Sequence, residues 1–190
     1  MEIILYIAAA TLVIYFAARL AAAISHRKHK CVKSKPKLPG YAYRVIYSDR
    51  KQNDEYREST ISGTVLKCER LNISGKPDYI YRHKNGELVP VELKSGEIGE
   101  AAEPYPGDLM QLASYFAIVE ECFEERPAYG LVVYKDYMFK IKNTARLRRA
   151  LRNVLKDMRD MLTHGEANPA ASFVKCRNCM CKGTVCEYAE

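Results

Sequence analysis

Two carboxylates and a lysine stand in the middle of this chain at a spacing that can do chemistry. Pro77-Asp78 is followed, after thirteen residues, by Glu92-Leu93-Lys94. Two carboxylate side chains can hold a hard divalent cation through oxygen. Such a cation polarises a phosphate and activates a water. A lysine beside it can orient the attacking water or neutralise charge building on phosphorus. The set is a minimal kit for hydrolysing a phosphodiester.

The elements around these residues must bring them together. Residues 77–83 and 87–94 read as two strands joined around Lys84-Asn85-Gly86, because Asn-Gly between apolar-alternating runs is a strong hairpin signal. Val89, Val91 and Leu93 alternate with Pro90, Glu92 and Lys94, so Glu92 and Lys94 share one face. A two-residue turn would set Asp78 opposite Leu93 and separate the carboxylates. A three-residue loop with a left-handed Gly86 sets Asp78 opposite Glu92, and this register is the one expected. Like charges facing across a strand pair destabilise it, and a bound cation is the simplest compensation.

A helix completes the group. Leu109, Leu112, Ala113, Phe116, Ala117 and Val119 form an apolar stripe at helical spacing over residues 108–123. Asp108 is read as its N-cap. Gln111 and Tyr115, four apart, share a face and would sit beside Lys94.

In this order, Gly75-Lys76-Pro77-Asp78, Pro90-Val91-Glu92-Leu93-Lys94-Ser95-Gly96, Gln111-Leu112-x-x-Tyr115 and the C-terminal cysteines resemble the CRISPR-associated RecB-like exonucleases. These are iron–sulfur members of the PD-(D/E)XK nuclease superfamily. The resemblance covers roughly residues 41–190. It implies an α/β restriction-endonuclease-like core, a mixed sheet flanked by helices. It also implies Mg²⁺- or Mn²⁺-dependent cleavage of DNA, with a preference for single-stranded ends. Asp78 and Glu92 would be metal ligands together with the Leu93 carbonyl. Lys94 would be the catalytic lysine, with Gln111 and Tyr115 in the supporting motif. The family often adds an upstream histidine ligand. His26 and His29 flank an apolar segment and are not assigned to it, and Asp49, Asp54, Glu55 and Glu58 are substitutes among which the sequence does not choose.

Seven cysteines occur, and Cys176, Cys179, Cys181 and Cys186 crowd the last fifteen residues. The odd count and the tight C-x-x-C-x-C run favour metal binding over a disulfide framework. Thiolates suit zinc or an iron–sulfur cluster. The resemblance favours a 4Fe–4S cluster on Cys176, Cys179 and Cys186, with Cys31 remote and Cys181 as competitor for the fourth position. Cys68 and Cys122 read as buried apolar cysteines.

Residues 3–24 are apolar except for Thr11 and Arg19. As a helix they would extend ~33 Å, enough to span a bilayer. Six basic residues between Arg27 and Lys37 follow, which by the positive-inside rule places the main domain in the cytoplasm. The expected organisation is a transmembrane anchor over 1–26, a basic linker over 27–40, a nuclease core over 41–170 and a cysteine-rich segment over 171–190. Net charge is +7, but residues 27–37 supply six of those charges and the region from Leu38 onward carries only +1. The basic balance is therefore no nucleic-acid footprint by itself. A local basic helix, from about Thr144 to His164, carries Arg146, Arg148, Arg149, Arg152, Lys156 and Arg159, which would either track phosphates or form a solvated face. Its apolar side is Leu147, Leu151, Val154, Leu155, Met158 and Leu162. Two other functions fit the same residues: a non-catalytic DNA-binding module of the same fold, or a membrane-tethered metal or redox protein.

Overall fold

The computed structural model describes residues 31–40, 42–49, 61–165, 171–177, 179, 182 and 186. Nine strands and three helices lie among them. The strands are β1 (Cys31–Ser34), β2 (Tyr43–Ser48), β3 (Ile61–Ser62), β4 (Leu66–Cys68), β5 (Ile73–Gly75), β6 (Tyr79–His83), β7 (Leu88–Leu93), β8 (Tyr129–Val133) and β9 (Met138–Lys142). The helices are α1 (Pro106–Phe123), α2 (Ala145–His164) and α3 (Phe173–Cys176). The chain divides into two compact units, Met1–Arg149 and Ala150–Glu190.

The first unit holds a mixed seven-stranded sheet in the order β1-β9-β8-β7-β6-β2-β3. β7 and β8 are parallel, as the intervening α1 requires, and β6 and β7 form the expected antiparallel hairpin. β1 pairs with β9, so Cys31–Ser34, inside the stretch read as a linker, belongs to the sheet. β4 and β5 form a separate hairpin that packs on α1. β4 is a short strand followed by a turn of 3₁₀-helix, Glu69–Leu71, which Asn72 ends in the left-handed region.

α1 covers one face of the sheet. It buries Leu109, Leu112, Ala113, Phe116 and Val119 as the stripe predicts, and Tyr115 and Ile118 as well. Gly130 on β8 marks the line of closest approach: a Cβ there would stand 2.9 Å from Leu112, Phe116 and the Pro90 carbonyl oxygen. On the opposite face Val45, Tyr81, Val89, Val91, Leu131 and Val133 form a buried cluster. Alternation along β7 therefore sends its valines to one side and Glu92 to the α1 side. Pro90, within a central strand, falls one residue before the registered β7–β8 pairs begin at Val91↔Leu131. Its missing N–H is tolerated at that edge of the ladder.

The helix ends differ from expectation in detail. α1 starts at Pro106 without a side-chain cap, so Asp108 is free for another role. On α2 the Thr144 hydroxyl accepts the Leu147 N–H at 3.2 Å. Asn143 donates to the Pro127 carbonyl and accepts from Arg148. Gly165 stops α2 in the left-handed region. Leu147 and Leu151 are buried, whereas Val154, Met158 and Leu162 are exposed, so the apolar side of α2 is buried only over its first half.

One expectation is corrected here. Among the described residues no helix is long and apolar enough to cross a membrane. The transmembrane helix expected over residues 3–24 is not supported, and neither is membrane anchoring of the domain. That segment itself lies outside the described residues. Hydropathy misleads for a physical reason: a helix apolar on all sides reads the same whether lipid or a protein core surrounds it.

Candidate active site

The hairpin sets the geometry. Its pairs run Arg82↔Leu88, Tyr81↔Val89, Ile80↔Pro90 and Tyr79↔Val91. The His83 N–H donates to the Glu87 carbonyl at 2.9 Å, which leaves Lys84-Asn85-Gly86 as a three-residue loop with Gly86 at φ +96°. Carried one step further, this register faces Asp78 with Glu92. Asp78 Oδ2 accepts the Leu93 N–H at 2.7 Å, so the carboxylate is fixed over the end of β7.

Glu92 is buried, 7% exposed. Its Oε1 accepts from Gln111 Nε2 at 2.7 Å and lies 3.1 Å from Lys94 Nζ. Burial pushes the Glu92 carboxyl above the usual range, and the Asp78 charge adds to this, while Lys94 opposes both. The pair is an electrostatic demand for positive charge that one lysine does not fully meet.

Lys94 reaches three partners. Its Nζ is 2.6 Å from Gln111 Oε1, 3.1 Å from Glu92 Oε1 and 3.0 Å from Asp108 Oδ1. Burial alone would favour the neutral amine, but Asp108 and Glu92 outweigh it and raise the lysine above its ordinary value. The side chain is held as an ammonium. Gln111 is the hub: one amide group accepts from Lys94 and donates to both Glu92 and, at 2.8 Å, Tyr115. Tyr115 in turn donates to the Lys76 carbonyl at 3.1 Å. Gly75 permits this, because a Cβ there would stand 3.1 Å from the Tyr115 ring. Burial, then the Glu92 charge, keeps the Tyr115 phenol neutral by raising it.

Two site residues escape a reading limited to the motif. Asp108 pairs with Lys94 instead of capping α1, and its Oδ2 accepts from the Tyr134 hydroxyl at 2.5 Å. The signal for Asp108 lay in helical spacing: Asp108, Gln111 and Tyr115 stand at i, i+3 and i+7, one face of α1. Tyr134, just past β8, carries no such signal.

Of the upstream candidates, Asp49 is described and the structure brings it beside the site. Its N–H donates to the Asp78 carbonyl at 3.1 Å, and its carboxylate lies 3.1 Å from Lys76 Nζ. Asp54, Glu55, Glu58, His26 and His29 lie outside the described residues.

The cysteines are less gathered than expected. Cys31 lies on β1 with its thiol 3.8 Å from the Ala102 carbonyl. Cys68 is buried and donates to Glu121 Oε2 at 2.9 Å, whereas Cys122 is exposed rather than buried. Cys176 ends α3, and the Cys179 N–H donates back to its carbonyl at 3.1 Å in a turn. Cys186 pairs with Lys182, and Cys181 lies outside the described residues. Cys176, Cys179 and Cys186 form no disulfide. Among the described residues no three or more His, Cys, Asp or Glu side chains gather around a common metal position. The described tail cysteines therefore do not by themselves make a cluster site.

The family model of the PD-(D/E)XK nuclease superfamily matches residues 11–187. The chain belongs to that superfamily. Members of the superfamily typically use Mg²⁺ or Mn²⁺. The match reaches the superfamily and not the iron–sulfur branch. It begins inside the apolar segment 3–24. No curated protein matches the chain. The crystal structure of SSO0001 is similar at 16% identity, over 94% of this chain and 70% of that one, with a TM-score of 0.45.

Proposed function

We propose that the chain is a metal-dependent deoxyribonuclease that hydrolyses phosphodiester bonds, acting on single-stranded ends. The observation that carries this is the facing of Asp78 and Glu92, with Lys94 hydrogen-bonded beside them. Mg²⁺ or Mn²⁺ fits that pair, since the donors are hard oxygens and the buried Glu92 is strained by its like-charged neighbour. Asp78, Glu92 and the Leu93 carbonyl would hold it. When bound, the cation supplies Lewis-acid charge at the scissile phosphate.

The chain's own residues do the rest. Lys94, kept as an ammonium by Asp108 and Glu92, donates hydrogen bonds to the attacking water or to a phosphate oxygen and offsets the negative charge that develops there. It acts as a donor and not as the base. Gln111 holds Lys94 and Glu92 in a fixed relation, and Tyr115 anchors Gln111 to Lys76, in the segment between β5 and β6 that carries Asp78. This pre-organisation removes the need to gather the groups at the moment of reaction.

For the tail, we propose a 4Fe–4S cluster on Cys176, Cys179 and Cys186, with Cys31 or Cys181 as the fourth ligand. The support is the soft-donor spacing, the turn that joins Cys176 to Cys179, and the family resemblance. Its role is structural. Iron and acid-labile sulfide in chain purified without oxygen test this, and stoichiometric zinc without iron would overturn it in favour of a zinc site.

The nuclease reading is tested on single- and double-stranded DNA labelled at either end, with Mg²⁺ or Mn²⁺ or with chelator. Metal-dependent shortening from single-stranded ends is expected. Binding of DNA without any cleavage would leave only a binding module of the same fold.

A further inference from the structure

One exposed aromatic stands next to this site with its backbone fixed on both sides. Tyr105 is 54% exposed. Single exposed aromatics are ordinary on protein surfaces and need no explanation. Tyr105 differs in how it is held. Pro104 and Pro106 flank it, and a residue before proline is confined to extended backbone. Its φ of −58° and ψ of 143° are those of polyproline II. Pro104 is buried and Pro106 opens α1, so both neighbours are anchored. The Tyr105 N–H donates to the Tyr134 hydroxyl at 3.3 Å, and the two rings meet edge to face at 6.0 Å.

Tyr134 joins this aromatic to the chemistry. The same hydroxyl that accepts from Tyr105 donates to Asp108 at 2.5 Å, and Asp108 lies 3.0 Å from Lys94. Two hydrogen bonds and one ion pair thus connect the backbone of Tyr105 to the ammonium of Lys94. The other aromatics of the site, Tyr115 and Tyr134, are buried at 5% and 3% exposure.

We propose that Tyr105 is a stacking platform for an unpaired nucleobase of single-stranded DNA bound at this site. An exposed aromatic with a fixed backbone, joined through Tyr134 and Asp108 to a phosphate-handling lysine, is suited to stacking on a splayed base. Paired bases are stacked on their neighbours and cannot offer the same contact. Tyr105 then favours single-stranded over double-stranded DNA. The inference rests on the nuclease reading for its substrate, so binding and cleavage are measured separately.

The test uses the full chain and a fluorescein-labelled single strand, with Ca²⁺ in place of Mg²⁺ or Mn²⁺, read by anisotropy. Tyr105→Ala is expected to weaken binding roughly tenfold to a hundredfold, the range of one lost base–aromatic stack. Tyr105→Phe is expected to restore most of it, because the ring and not the hydroxyl makes the contact. Abasic substitutions near the strand end are expected to weaken the wild type and to add little to Tyr105→Ala. Duplex binding is expected to move little. Circular dichroism and thermal melting establish that each variant is folded. Equal binding of single strands by wild type and Tyr105→Ala overturns the proposal, as does a wild type that binds no single strand. Binding lost in Tyr105→Ala by a chain that never cleaves would keep the platform and reject the nuclease reading alone.

Discussion

Lys94 Nζ lies 3.0 Å from Asp108 Oδ1, so the lysine at the end of β7 is aimed from the first turn of α1. Asp108 bears on the Asp78–Glu92 pair through Lys94, which ion-pairs with both Asp108 and Glu92. It is a positioning residue. Asp108→Asn keeps the size of the side chain and removes the charge that holds the ammonium. Cleavage is expected to fall roughly ten- to hundredfold, as is usual when a supporting partner is lost. The loss is expected in kcat and not in KM, and Mn²⁺ binding by calorimetry is expected to stay.

Asp78 and Glu92 face each other at the end of the β6–β7 pair. Like charges directly across a strand pair destabilise it by roughly 0.2–1 kcal/mol. Asp78→Asn still offers an oxygen to the Leu93 N–H. Without divalent metal, this variant is expected to melt at the wild-type temperature or slightly above it. Adding Mn²⁺ is expected to raise the melting temperature of the wild type, since a ligand that binds only the folded state stabilises it. Chelator is expected to reverse that rise. The variant is expected to show neither change, and to cleave nothing.

Gly130 lies under α1, where a Cβ would stand 2.9 Å from the Pro90 carbonyl oxygen, an atom that cannot swing away. Gly130→Ala forces α1 and β8 apart. Overpacking of this kind costs about 1–3 kcal/mol. A drop in melting temperature of roughly 2–10 °C is expected for a chain of this size. Because Gln111 and Asp108 ride on the same helix, cleavage by the folded fraction is expected to fall too.

Tyr47 is fully buried and donates to the Thr64 carbonyl at 2.6 Å. Burial, with a smaller contribution from Asp49, pushes its phenol up to about 12 from 10.0. The unfolded chain loses that proton first. Stability from this group is therefore intact below pH 10 and is lost as pH rises from 10 toward 12. Denaturant melts across that window are expected to show a smaller loss for Tyr47→Phe than for the wild type.

Much of the site could be read before the fold. Strand alternation sent Glu92 and Lys94 to one face, and Asn85-Gly86 located the hairpin. The three-residue loop gave the register that faces Asp78 with Glu92. Helical spacing brought Gln111 and Tyr115 beside them. Asp108 was misread because an acid at a helix start is so often a cap, and only tertiary contact distinguishes a cap from an ion pair. Tyr134 was missed because it follows a strand with no motif around it. The β4–β5 hairpin, which packs on α1 apart from the main sheet, was not foreseen, since short strands carry little periodicity. The apolar N-terminal segment was read as a membrane span because hydropathy counts side chains and not what surrounds them. Clustered cysteines likewise give donor type but not geometry: a gathered set was expected, and among the described residues none gathers around a common metal position.

Cleavage of end-labelled single-stranded DNA by the full chain and by Lys94→Ala, with Mn²⁺ binding measured on both, is the first experiment to perform. Asp78 and Glu92 remain in the variant, so Mn²⁺ is expected to bind to both proteins, while cleavage is expected from the wild type alone. Equal cleavage by Lys94→Ala, or a folded, Mn²⁺-loaded wild type that leaves every strand intact, would contradict the catalytic role assigned to this site.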